Sequence, residues 1–366
     1  MRQQRQLFFM LFLVCFLFKC GSAFKMSMQF EAIYQFGDSL NDNGNFIRLP
    51  TGWHSAYGRL PYGQALKMPT GRASDGLVIG DFIASYFQLP QLNPYLAYGS
   101  DFSHGVNFAV VGATATGGGR TISLADQLSW FKYYLASSFT YPTAIKEKLE
   151  KSLVIMGEIG GNDFNGPFYA HKTISEVSLL VPKVVKTVKD AIEFVISIGA
   201  TNIVVPGNFA IGCVPLYLVE FATNDTSKYD EYHCLKDYNQ FARFYNQELI
   251  KVIKELQYEH PNVAIVYADY YSALISVVRN AQQLGFEQDG IEKACCGDGN
   301  NPYNYGEKGC GSVGATVCED PSKRLNWDGV HMTQHGYKCV VDSLVKQFVP
   351  ALERQIRRRR RNINHT

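Results

Sequence analysis

Short runs of apolar, β-branched residues alternate along the chain with longer stretches whose apolar positions recur at helical spacing. The runs at 32–36, 106–111, 153–156, 202–205 and 263–267 read as strands, and the stretches at 77–87, 124–135, 174–198, 229–259, 270–283 and 333–348 read as helices. Alternation of strand and helix predicts parallel pairing with helices on both faces, and near-continuous apolar strands are what a sheet buried on both sides requires. The expected fold class is therefore α/β, with a central, mostly parallel five-stranded sheet. From about residue 285 to 326 neither period is present. A loop that long in a compact domain is usually functional or cross-linked.

The first segment reads differently. Arg2 and Arg5 precede an apolar run from Leu7 to Phe18, and Gly21-Ser22-Ala23 follows with small residues. That order predicts a cleaved signal peptide over residues 1–23, and the run is short for a membrane anchor, which needs roughly 20 residues. The expected location is the secretory pathway, extracellular or vacuolar, with no stable membrane span.

The cysteines agree with an oxidising compartment. Removing Cys15 and Cys20 with the signal leaves seven, an odd number, and Cys339 on the last predicted helix is expected to stay unpaired. Cys213 and Cys234 bracket one loop and are candidates to close it; Cys295, Cys296, Cys310 and Cys318 fall in the glycine-rich unpatterned stretch. Adjacent Cys295-Cys296 is poor spacing for a zinc knuckle, so a disulfide-pinned loop is the reading and no metal is expected.

Formal charge is +2, but three of the basic residues belong to the first segment and five form the run 357–361. The body between is therefore mildly acidic, which does not suit a nucleic-acid binder. Residues 351–366 read as a solvated basic tail. Asn224-Asp225-Thr226 and Asn364-His365-Thr366 are glycosylation patterns, at Asn224 and Asn364.

Four segments carry candidate chemistry. Phe36-Gly37-Asp38-Ser39-Leu40 ends the first strand in a serine. Gly105 to Ala115 is a strand running into small residues around Gly112. Gly157-Glu158-Ile159-Gly160-Gly161-Asn162-Asp163 follows the third strand, and Trp327-Asp328-Gly329-Val330-His331 precedes the last helix. Each alone reads equally as a helix cap, a turn or a loop. Together they supply an acyl-transfer site. Ser39 is the candidate nucleophile, His331 its base and Asp328 the acid that orients the imidazole. The backbone N–H groups of Ser39 and Gly112 and the Asn162 amide are candidate donors to an oxyanion.

These four segments resemble the blocks of the SGNH/GDSL hydrolase superfamily, and in detail the plant GDSL esterase/lipase group. Pro61-Tyr62-Gly63, Pro69-Thr70-Gly71-Arg72-Ala73-Ser74-Asp75-Gly76, Asn107-Phe108-Ala109 and Cys295-Cys296-Gly297 resemble that group as well. The resemblance spans about residues 30–349. It implies one domain over 24–350 with a three-layer, flavodoxin-like α/β/α fold, Ser39, Asp328 and His331 as catalytic residues, and Gly112 and Asn162 as oxyanion donors. It implies no metal or organic cofactor and a monomer acting on a small-molecule ester, such as an acetylated alkaloid or a phenolic ester. Gln334, where an acid is frequent, and Val111, where a small residue is common, depart from the pattern.

Three other readings stand beside the esterase. The same scaffold passes acyl groups to alcohols in some plant relatives. His233-Cys234-Leu235-Lys236-Asp237 fits a His-x3-Asp acyltransferase pattern. A non-catalytic secreted binding protein is the third. An α/β-hydrolase calls for Gly-x-Ser-x-Gly, which the chain lacks.

Overall fold

The computed structural model describes residues 28–118 and 121–363. The expected segment 1–23 and Asn364 lie outside them.

Six parallel strands form the central sheet: β1 (Ala32–Gln35), β2 (Asn93–Pro94), β3 (Gly105–Asn107), β4 (Ser152–Ile155), β5 (Asn202–Pro206) and β6 (Ala264–Ala268), in the order β2-β3-β1-β4-β5-β6. Without β2 this is the flavodoxin-like order, in which the chain starts in the middle and builds outward both ways. The expected five strands thus become six. The addition is a two-residue edge strand, where Pro94 is tolerated because one side of the strand needs no donor. Central β1 aligns Ile33 with Gly105 on one side and Leu153 on the other. The loops following β3, β1 and β4 are consequently neighbours on one rim.

Helices Ile79–Tyr86, Tyr270–Arg279 and Gln334–Ile363 pack together as one layer, and Leu124–Ser138, Val181–Ser197 and Lys236–Glu259 as another. Among the described residues no helix is long and apolar enough to cross a membrane.

Four expected elements differ in extent. The strand expected over 106–111 ends at Asn107, because side chains take over its hydrogen bonds. The Asn107 carboxamide accepts from the Ala109 N–H, and Asn45 Nδ2 donates to the carbonyls of Asn107 and Ala109. The helix expected over 174–198 is two, Ile174–Ser178 and Val181–Ser197, since Pro182 in the first turn of the second has no N–H to continue the first. The helix expected from 229 starts at Lys236, because a disulfide between Cys213 and Cys234 and a bridge of Tyr229 to Leu235 hold the preceding residues in a turn.

The last helix continues to Ile363 and takes the expected tail with it. Leu344, Phe348, Leu352 and Ile356 recur every fourth residue and are buried, and Arg359 Nη1 donates to the Thr201 carbonyl at 2.7 Å. A buried stripe and an anchored guanidinium explain why the basic run is not a frayed terminus.

Candidate active site

Ser39 sits just past the end of β1, where the chain turns sharply. Gln127, from the helix Leu124–Ser138, clamps that turn. Its Oε1 accepts from the Gly37 N–H at 2.9 Å, and its Nε2 donates to the Gly37 carbonyl at 2.8 Å. Asp38 then accepts from the Leu40 N–H through Oδ1 at 3.0 Å. Asp42 joins this turn to the one after β3: its carboxylate accepts from the N–H groups of Gly44, Asn45, Phe46 and Val111. Burial pushes the Asp42 carboxyl up to about 6, against those four donors.

Asp328 and His331 come from a loop with its own brace. Disulfides join Cys295 to Cys318 and Cys296 to Cys310, and Cys339 is unpaired and buried, as expected. The N–H groups of Cys295 and Cys296 donate to the carbonyls of Asn326 and Trp327, at 2.9 and 2.6 Å. The long unpatterned stretch is thereby stitched to the residues just before Asp328. Gly329 is required here by close approach: a Cβ would lie 2.0 Å from the Tyr305 ring.

The three distant side chains form one hydrogen-bonded line. His331 Nε2 is 2.8 Å from Ser39 Oγ, and His331 Nδ1 is 2.9 Å from Asp328 Oδ2. Asp328 Oδ1 also accepts from the N–H groups of Val330 and His331, and Oδ2 accepts from the Tyr62 hydroxyl at 2.7 Å. All three are nearly buried, with Ser39 7% exposed. Burial pulls the His331 imidazole down, but the Asp328 charge and hydrogen bond outweigh it and hold the ring above its ordinary value. Burial pushes Asp328 up; the His331 charge and the hydrogen bonds outweigh that and hold it below the usual carboxylate range. The pair is arranged to take a proton on the imidazole while the carboxylate stays charged.

The oxyanion candidates lie on the adjacent loops. Among the described residues neither the Ser39 N–H nor the Gly112 N–H meets an acceptor. Gly112 has φ +75°, a left-handed conformation that favours glycine. Asn162, at the start of the helix Gly161–Tyr169, is differently placed. Its Nδ2 donates to Asp38 Oδ2 at 3.1 Å and to the Ala113 carbonyl at 3.0 Å. Asp163 next to it accepts from the Ala115 and Thr116 N–H groups, tying the Gly112 loop to that helix.

Behind Ser39 lies a second carboxyl pair that sequence reasoning missed. Glu158 is buried and within hydrogen-bonding reach of Asp38. Burial, and then the Asp38 charge, raise Glu158 well above the ordinary carboxyl range, which favours its neutral form beside Asp38. Its signal was an acid set among glycines at a strand end. Gln127 and Tyr62 were not singled out as site residues either.

Other candidates fall elsewhere. His233 is an exposed residue with its Nδ1 3.6 Å from Glu292, while Asp237 pairs with Lys228 at 2.9 Å, so the His-x3-Asp pattern faces two different partners. Asn224 is exposed in a polar loop. Gln334 accepts from the Leu77 N–H, and its own N–H donates to Asp75, so the departure at this position serves the start of the last helix.

A serine, a histidine and an acid in line beside two unpartnered N–H groups are an arrangement chemically able to carry out acyl transfer. Comparison with known proteins gives the same chemistry. The "GDSL-like Lipase/Acylhydrolase" family matches residues 33–344. Acetylajmalan esterase 2 of Rauvolfia serpentina is 40% identical over 341 residues, covering 88% of this chain and 92% of that protein. A GDSL esterase/lipase of Arabidopsis thaliana is 42% identical over 336 residues, covering 86% of each. Among solved structures, phospholipase A1 from Streptomyces albidoflavus aligns over 89% of this chain and 99% of its own, at 12% identity and a TM-score of 0.40. The extent of the family match and the identity to these relatives establish that this chain belongs to the GDSL-like lipase/acylhydrolase family and is a carboxylic ester hydrolase.

Proposed function

We propose that the protein cleaves its ester through an acyl-enzyme on Ser39. His331 takes the Ser39 proton as the hydroxyl attacks the carbonyl and returns it to the departing alcohol. Asp328 holds the imidazole in the tautomer that can accept, and stabilises it once charged. The N–H groups of Ser39 and Gly112 receive the developing oxyanion. The Asn162 amide becomes the third donor by turning one hydrogen from Ala113 or Asp38 toward it. Water, activated by the same imidazole, then releases the acid. The observation that carries this reading is the 2.8 Å contact of His331 Nε2 with Ser39 Oγ, with Asp328 on the other ring nitrogen.

The substrate is the carboxylic ester of a small or medium specialised metabolite, such as an acetylated alkaloid or a phenolic ester. The support is the kinship with acetylajmalan esterase 2. The protein acts as a monomer in the secretory pathway, extracellular or vacuolar. Its three disulfides support that reading, and the exposed Asn224 is its glycosylation site.

The test is intact-mass spectrometry during turnover of a slow ester, followed by peptide mapping. An acyl adduct on the Ser39 peptide is expected. Hydrolysis at full rate in Ser39→Ala, with no adduct on the wild type, overturns the reading.

A further inference from the structure

Beyond the three side chains in line, Asp328 has a fourth partner whose place in the fold is over-determined. The Tyr62 hydroxyl donates to Asp328 Oδ2 at 2.7 Å, on the same oxygen that lies 2.9 Å from His331 Nδ1. The Tyr62 ring is buried against Tyr57 and Trp327, with ring centroids 4.8 and 6.0 Å away. Tyr62, Trp327 and the cysteines of both disulfides in the loop form a small apolar cluster of their own, separate from the main core. The ring therefore has little freedom to turn its hydroxyl elsewhere. No second acceptor is recorded for that hydroxyl among the described residues.

We propose that Tyr62 is a positioning residue for the reaction: its hydroxyl fixes the Asp328 carboxylate against His331 and disperses that carboxylate's charge. The proposal rests on the acyl-enzyme reading. A carboxylate that loses a donor keeps more charge on the oxygen facing the imidazole, which then holds its proton more tightly. Without the bond Asp328 itself also protonates more readily, since a donor to the charged form is lost. Both effects remove the active state from the acid side.

Burial, with the Asp328 charge beside it, raises the Tyr62 phenol well above its ordinary value, so it remains a donor throughout the working range. The other titratable groups facing the pair are Asp38 after β1, Tyr57 and Tyr305 on the flanking loops, and Tyr337 in the last helix. Burial raises all three of these phenols too, which leaves Asp38 as the other titrating charge at this place.

The experiment is the rate of Ser39 labelling by a fluorophosphonate as a function of pH, in the wild type and in Tyr62→Phe, with Ser39→Ala as the unlabelled control. Phe keeps the ring and loses only the donor. The expected result is labelling slowed about tenfold, with the acid limb displaced upward by roughly half a pH unit. A Tyr62→Phe protein that is less heat-stable but labels with the wild-type rate and limb has lost packing only, and overturns the proposal. A wild type that does not label at all brings down the acyl-enzyme reading first, and is told apart because the failure precedes any variant. Should Tyr62→Phe not fold, the wild type supplies the second measurement, the proton resonance of the Tyr62 hydroxyl. A downfield signal that moves as His331 titrates supports the bond, and a hydroxyl in ordinary exchange with water overturns it.

Discussion

The carboxamide of Gln127 satisfies both backbone groups of Gly37, ninety residues away in sequence and two before Ser39. Helix and nucleophile turn are thereby one unit. Gln127→Leu keeps the volume, leaves the buried Gly37 N–H unmatched and leaves the Gly37 carbonyl with the Val110 N–H alone. The expected cost is about 3 kcal/mol, read from the urea midpoint. Unfolding at the wild-type midpoint contradicts the clamp.

The Asn162 amide spends both its hydrogens on Asp38 and Ala113 when no oxyanion is present. Its contribution should be confined to the transition state. Asn162→Ala is expected to lower kcat by about 10²–10³ with KM nearly unchanged. Equal changes in kcat and KM would argue that the residue only shapes the pocket.

The working range follows from the His331 environment. Asp328 holds the ring above its ordinary value of 6.5, and the proposed mechanism needs the neutral ring. On acidification kcat/KM should therefore begin to fall above pH 6.5. In stability the same group works in the opposite sense. Its raised value contributes stability that is complete below 6.5 and lost as pH rises through the raised value. Asp328, depressed, contributes stability above 3.8 that is lost as pH falls through its lowered value. An activity limb clearly below 6.5 contradicts the pairing.

The loop cross-links bear on activity as well as stability. The Cys296–Cys310 bridge closes a span of 14 residues, and Cys296 holds the Trp327 carbonyl, one residue before Asp328. Replacing both cysteines by serine should cost about 3 kcal/mol and lower kcat in protein that remains folded. A loss of stability with kcat intact separates the bridge from the site.

Much of this was legible beforehand, for reasons that differ by residue. Ser39, Gly112 and Asn162 follow strands, and strand ends in a parallel sheet share a rim, so their meeting needs only the topology. Asp328 and His331 share one short loop, which keeps acid and base together wherever the loop docks. Cys213 and Cys234 bracket one loop, which made them candidates to pair, and the structure joins them. Gln127 lay hidden because it sits inside an amphipathic helix with no local signal. Tyr62 finds its partner 266 residues away, a distance over which neither period nor spacing informs. Glu158 stands among glycines after the third expected strand, and burial of a carboxyl cannot be read from spacing. The helical reach of 351–363 was missed because five arginines mask the Leu352 and Ile356 stripe beneath them.

The central claim is that ester cleavage runs through the Ser39 hydroxyl. It is tested most directly by kcat of Ser39→Ala on an activated acetate ester, with folded protein matched to wild type by circular dichroism. A fall of about 10³-fold or more is expected, with the melting temperature essentially unchanged. Turnover within tenfold of wild type contradicts it.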